Sequence, residues 1–197
     1  VLKEADAVMT ISPTFQMDLE KLAKRKVHLL TNGFDPADIP DGFSPKEKQA
    51  GNLHLVYSGV IDSIRNPTPL LKAFKEEFAE TGEAVSLTFV GKVSEQVREF
   101  VAQDSWLVDR VTFPGYVSHR EVFGFYAQAD ALVLILTDTK NAQGNIPGKL
   151  FEYMATRVPI LALGDPNGDS AQIIHEGKAG KVIRHDDFVG IQVALRE

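Results

Sequence analysis

The sequence predicts an α/β fold built on a parallel, doubly wound sheet. Three observations carry that prediction. Short apolar runs recur along the chain, amphipathic helical stretches separate them, and Gly, Pro, Asn and Ser punctuate the junctions. Strands that alternate with helices are joined by right-handed crossovers, which build a parallel sheet covered on both faces.

Taken in order, Ala7 to Ile11 reads as a strand. Ser12-Pro13 then supplies an N-cap and a proline at the first helical position, for a helix to about Ala23. Val27 to Leu30 is a second strand, stopped by the turn pair Asn32-Gly33. Residues 35–51 hold Pro36, Pro40, Gly42, Pro45 and Gly51 without periodicity and read as a linker. Leu53 to Tyr57 is the next strand. Asn66-Pro67 caps a helix whose Leu70, Phe74 and Phe78 share one face. Val85 to Val90 is a strand, followed by a helix from about Ser94 and a short strand Val111 to Phe113. Ser118-x-x-Glu121 is a capping box for a helix to Ala127. Ala131 to Leu136 reads as a buried central strand, and Pro147 to Thr156 as a helix. Ile160 to Leu163 is a strand, Ser170 to His175 a short helix, and Lys181 to Arg184 a last strand.

Composition narrows the function. The 197 residues suffice for one well-packed domain, or one domain and part of another. Cysteine is absent, which removes disulfides, thiolate zinc sites and cysteine nucleophiles and fits the cytoplasm. A net charge of −6 argues against a broad nucleic-acid surface. The longest apolar run, Ala131 to Leu136, is too short to span a bilayer. Residues 1–11 carry Lys3, Glu4 and Asp6 and no apolar run with a small-residue cleavage site, so they are not expected to be a secretory signal. The expected location is the cytoplasm, or its membrane surface if a further domain docks there. The chain has no initiator Met and opens inside what reads as a helix, so it is expected to be a piece of a longer protein.

Ligands of doubly wound sheets bind beyond the carboxyl ends of the strands. Three stretches stand there. Ser58-Gly59-Val60 leads to Arg65 at the amino edge of a helix, where a cation opposes the helix dipole. Arg65 is either a pyrophosphate clamp or a solvated loop residue. The second stretch is Gly144-Asn145-Ile146-Pro147-Gly148-Lys149 with Glu152. Free backbone N–H groups at a helix start favour an anion. Lys149 suits a phosphate, and Glu152, one turn on, suits the two hydroxyls of a ribose. The alternative is a solvated ion pair. Tyr153 and Met154 read as core. The third stretch, Gly91-Lys92 with Gly115-Tyr116-Val117, forms either the walls around a nucleobase or ordinary turns. No dinucleotide glycine motif, P-loop or serine-hydrolase elbow occurs. The histidines lack metal spacing and there is no D-x-D, so no metal site is expected; His119 reads as solvated.

Taken together these residues resemble the GT-B retaining glycosyltransferases related to glycogen synthase, the GT4-like group 1 glycosyl transferases, from about Ala5 to Asp187. Ala5-Asp6-Ala7-Val8, Thr10-Ile11-Ser12 and Asn32-Gly33-Phe34-Asp35 resemble the passage from acceptor domain to hinge. Val56-Tyr57-Ser58-Gly59 with Arg65 resembles the phosphate loop, and Phe113-Pro114-Gly115-Tyr116-Val117 the base-binding turn. Lys149 to Ala155 with Val158-Pro159-Ile160 resembles the signature helix.

The resemblance implies two Rossmann-like domains, with the nucleotide sugar held by the second. Residues 1–32 would be the tail of the acceptor domain, 33–51 the hinge and 52–197 the donor domain. Gly59, Arg65, Gly91, Tyr116, Val117, Gly144, Asn145, Ile146, Pro147, Lys149 and Glu152 would line the donor site. The partners implied are a nucleotide sugar, a saccharide or lipid-linked acceptor, and a preceding domain. No cofactor is implied, since basic side chains and a helix start neutralise the diphosphate. This sequence departs from the family at three places. Gly144 stands where the first of two spaced glutamates is usual, Val60 where a basic residue follows the phosphate-loop glycine, and Arg157 where glycine follows the signature helix. The expected function is the donor-binding part of a retaining glycosyltransferase, inactive as this chain alone. A GT-B sugar-nucleotide epimerase and a non-catalytic nucleotide-binding module are the alternatives.

Overall fold

A computed structural model describes residues 1–47 and 49–197, and Lys48, within the expected linker, lies outside the described residues. Six strands form one parallel sheet: β3 (Asn52–Ser58), β4 (Ala84–Val90), β5 (Val111–Gly115), β6 (Ala131–Ile135), β7 (Ile160–Leu163) and β8 (Gly180–Ile183), in the order β5-β4-β3-β6-β7-β8. Central β3 sets Leu55 between Leu87 of β4 and Ala131 of β6.

Alternation along β3 explains the two cores. Leu55 and Tyr57 face one side and Val56 the other, as the two-residue strand period requires. The first face is covered by α2 (Thr68–Phe78), α3 (Glu95–Ala102), α4 (Ser105–Val108) and α8 (Phe188–Arg196), through Leu70, Phe74, Leu107 and Leu195. The second is covered by α5 (His119–Gln128), α6 (Lys149–Thr156) and α7 (Asp169–Glu176), through Phe123, Leu150, Tyr153 and Ile174. Each fully buried Leu or Phe is worth about 1.5–3 kcal/mol.

The amino-terminal segment stands apart. β1 (Met9–Thr10) and β2 (His28–Leu29) pair in parallel as their own two-stranded sheet, linked by α1 (Pro13–Ala23). Both strands are shorter than their apolar runs predict. α1 starts as expected: Ser12 accepts from Phe15 N and Pro13 follows. The connector carries a 3-10 turn at Pro36–Asp38, then packs Phe43 edge-on against Phe123 and pairs Lys46 with Asp130 at 2.9 Å.

Some boundaries differ from expectation. α6 begins at Lys149 rather than Pro147, because Leu150 and Phe151 donate back to Pro147 and Gly148 in a tight first turn. The capping box at Ser118 and Glu121 closes as expected. α4 and α8 were not expected, although Phe188, Ile191 and Leu195 carry helical spacing. Arg157 ends α6 in the left-handed region, at φ 60°, a conformation glycine adopts more cheaply.

Candidate functional site

The strand order reverses direction between β3 and β6. Successive strands run outward from β3 through β4 to β5, then resume on its other side, so the loops after β3 and β6 diverge and open a crevice at the carboxyl edge. One wall is built from glycine. Gly59 has φ 125° and Gly91 φ 115°, backbone that side chains rarely adopt. Gly59 N donates to Val90 O and Gly91 N to Gly115 O, each at 2.8 Å. A Cβ on Gly91 would collide with the Gly59 carbonyl, and one on Gly59 with the Lys149 ammonium. The chains approach this closely only because neither residue has a side chain.

Lys149, the first residue of α6, reaches across the crevice to this wall. Its Nζ donates to Ser58 O at 2.5 Å, lies 3.4 Å from Tyr57 Oη, and sits 4.5 Å above the Tyr57 ring. No carboxylate pairs with it among the described residues. Burial lowers its pKa to about 8; Arg65 pushes the same way and Glu152 opposes. Arg65 approaches from the loop after β3, with Nη1 2.9 Å from Asp62 Oδ2 and its own backbone N on Asp62 Oδ1. The two cations therefore face one crevice, one with a counter-ion and one without.

Glu152 lies one turn along α6, its side chain 20% exposed. Oε1 accepts from Tyr126 Oη at 2.7 Å, and Oε2 lies 2.8 Å from His119 Nε2. Behind it, Ser58 Oγ lies 2.7 Å from Tyr126 Oη and 3.1 Å from Tyr153 Oη, and Ser58 N donates to Tyr153 Oη. With Tyr126 donating to Glu152, Ser58 Oγ donates to Tyr126 and Tyr153 to Ser58. Burial raises the pKa of both tyrosines, so these hydroxyls stay protonated. Tyr153 is core, as its spacing predicts, but its hydroxyl also holds Ser58 at the end of β3. His119 is half-exposed yet paired, a contact that the sequence reading of a solvated residue did not anticipate.

The loop between β6 and α6 is held from behind. Asn145 Nδ2 donates to Thr137 Oγ1 at 3.0 Å, and Ser170 Oγ donates to Asn145 O at 2.6 Å. Asp169 receives both Thr14 N and Thr14 Oγ1, tying α1 to α7. Gly144 is buried beneath Phe15 of α1, and a Cβ there would lie 2.6 Å from the ring. The place where the resemblance implies a glutamate is thus filled by an aromatic ring. Ile146 buries its side chain in the core, so it has only backbone groups to offer a ligand, and Pro147, which has no N–H, has only its carbonyl.

The turn after β5 is less engaged. Gly115 has φ 82°, Val117 packs on the α5–α6 core, and Tyr116 is 90% exposed. The structure sets Lys149 against Gly59, with Arg65 and Glu152 near enough to act on its charge, and leaves Tyr116 exposed. A hollow of about 200 Å³ adjoins Glu152, lined by Gly33, Phe34, Asp38 and Phe123 among others. Roomier hollows lie elsewhere, one of about 580 Å³ over His54, Thr88 and Thr112, where those three side chains already satisfy one another.

The architecture is that of GT-B glycosyltransferases. The chain is similar to sucrose-phosphate synthase from Thermosynechococcus elongatus, at TM-score 0.76 and 21% identity over 99% of this chain and 49% of that one. It is similar to WaaG, a glycosyltransferase of lipopolysaccharide biosynthesis, at TM-score 0.71 and 18% identity over 95% of this chain and 52% of that one. HepE from Anabaena, solved in complex with UDP, matches at TM-score 0.68 and 18% identity, over 98% of this chain and 54% of that one. The chain spans about half the length of these three. No match to a curated protein sequence was found. Among the described residues no helix is long and apolar enough to cross a membrane. A family model covers residues 52–196, from the first strand of the main sheet to the last helix, and by that match the chain belongs to the glycosyl transferases group 1 family.

Proposed function

We propose that this chain is the donor-binding part of a glycosyltransferase that moves a sugar from a nucleoside diphosphate to an acceptor with retention of configuration. The observation that carries the reading is Lys149: a buried ammonium without a carboxylate partner among the described residues, at the switch point of the sheet, facing Arg65 across a glycine-walled crevice. Mutual repulsion between the two cations is relieved by an anion. A diphosphate fits the spacing between a helix start and a strand-following loop. Glu152, one turn further, accepts hydroxyls, which suits a ribose. Stabilising the leaving diphosphate with fixed positive groups is the main catalytic contribution this part would make, without a metal or cofactor.

Residues 1–32 are read as the tail of an acceptor-binding domain, 33–51 as the hinge and 52–197 as the donor domain. In support, β1 and β2 make a parallel pair of their own, and Met9, Met17, Leu22 and Leu30 are exposed around it. Two short parallel strands do not make a stable sheet alone. Transfer then requires the rest of that domain, and this chain by itself binds nucleotide weakly and transfers nothing. HepE's complex with UDP lends the nucleotide reading support by likeness of fold.

The test is calorimetry of UDP and GDP with the full-length protein, parent against Arg65→Ala and Lys149→Ala, beside an assay for free nucleoside diphosphate and new glycoside. Variants that bind both nucleotides as tightly as the parent refute the site. A second reading, a nucleotide-binding module without transfer, is favoured by Gly144 beneath Phe15. It predicts binding that ignores an attached sugar.

A further inference from the structure

His119 opens α5 and touches two other elements. Its Nε2 lies 2.8 Å from Glu152 Oε2 on α6, and its Nδ1 lies 3.9 Å from Asp38 Oδ1, the last residue of the connector's 3-10 turn. The ring stands edge-on to Phe123 at 5.6 Å between centroids. The charged groups facing it are Glu152 from α6 and Asp38 from the connector. Asp35 lines the hollow that Asp38 and Glu152 share, and Lys149 lies within electrostatic reach of Glu152. Tyr126 occupies the other Glu152 oxygen.

Imidazole chemistry makes this bridge conditional. A neutral ring has one N–H and one lone pair, so it donates to one carboxylate and presents a lone pair to the other. The imidazolium presents N–H groups to both. Protonation therefore decides whether connector and α6 are joined through this ring. Glu152 keeps lone pairs free on both oxygens, so the bridge orients the carboxylate without consuming it.

We infer that His119 is a positioning residue: it fixes Glu152 for the ribose hydroxyls and, when charged, ties that carboxylate to Asp38 of the interdomain connector. The inference rests on reading Glu152 as the ribose carboxylate. The hydrogen bond that His119 donates to Glu152 raises its pKa above the ordinary value, burial opposes, and Asp38 adds to the rise. The two-armed bridge is thus present at low pH and loses one arm as pH rises through that raised value.

The experiment compares UDP and GDP with their 2′-deoxy counterparts on the full-length protein, by calorimetry from about pH 6 to about pH 8.5. The ratio of ribo to deoxy affinity cancels effects at the phosphates, including the titration of Lys149. The parent's ratio should fall about threefold to tenfold across that range. In His119→Gln, whose amide still donates to Glu152 but does not titrate, the ratio should be flat. Asp38→Asn should move the midpoint to lower pH. A flat ratio in the parent, or the same fall in His119→Gln, overturns the inference. Glu152→Gln separates the two readings: if it leaves the ribo preference intact, the ribose assignment itself is wrong. If it collapses the preference while His119→Gln behaves as the parent, only the role of His119 is.

Discussion

The loop after β3 and the start of α6 each bring one cation to the same crevice, but they hold it differently. Arg65 sits beside Asp62, three residues back on its own loop, and is about one-third exposed, so its charge is met in the free protein. Lys149 is likewise partly buried, but has only a carbonyl, a phenol and a ring around it. Burying an ammonium without a partner charge costs stability, and the lowered pKa is the measure of that cost. The difference teaches that the two cations, although they converge, do not contribute equally: the one left unmatched gains more from an incoming anion.

The sharpest way to break this comparison is to remove each charge in turn. Lys149→Ala should cost roughly 1.5–3 kcal/mol of nucleoside diphosphate binding, about tenfold to a hundredfold, while leaving the melting temperature unchanged or higher. Calorimetry and a thermal melt check both halves. Arg65→Ala should cost less, about threefold to tenfold, because the guanidinium must share itself with Asp62. Asp62→Asn should tighten binding by a similar factor. Equal losses at Arg65 and Lys149 would remove the distinction.

A pH series sharpens it further. The folded-state pKa of Lys149, about 8, lies below its ordinary 10.5. Between those values the unfolded chain holds the extra proton, so the contribution of this group to stability rises with pH across that window. Binding runs the other way: diphosphate affinity should fall as pH rises through about 8, since the free protein then loses the charge. Proton uptake on binding, read from calorimetry in buffers of different ionisation enthalpy, is the check.

The smallest expected effect contrasts the two ends of α6. Its first residue, Lys149, reaches the loop after β3, while its C-cap, Arg157, only turns the chain, in a left-handed conformation. Arg157→Gly should raise stability by roughly 0.5–1 kcal/mol without altering nucleotide affinity, as chemical denaturation and calorimetry would show.

Where local signals were strong, the sequence told most of the fold. The apolar runs of β3, β4, β6 and β7, the Ser12-Pro13 start and the Ser118–Glu121 box each carry their own cause, in burial or in capping. β1 and β2 came out shorter because a strand's length depends on its neighbours, and those two pair only with each other. The last helix was missed although its spacing was readable. Gly59, Arg65, Lys149 and Glu152 stand out in the sequence by their place after strands, and in the structure Lys149 lies against Gly59 with Arg65 and Glu152 near enough to act on its charge. Asp62 was within reach of the same reading, three residues from Arg65. His119 was not, because its partners Glu152 and Asp38 lie far off in sequence and only the fold brings them near. Nor does any sequence spacing reveal that Phe15 lies over Gly144.

The contact between Gly59 and Gly91 has a mechanical consequence. With the Gly59 backbone lying where a side chain on Gly91 would stand, and with Ile61 N on Lys92 O and Ser94 N on Ile61 O beyond it, the loops after β3 and β4 are packed and hydrogen-bonded together. They cannot hinge separately. A displacement of either loop therefore carries the other with it, and the glycine wall moves as one piece.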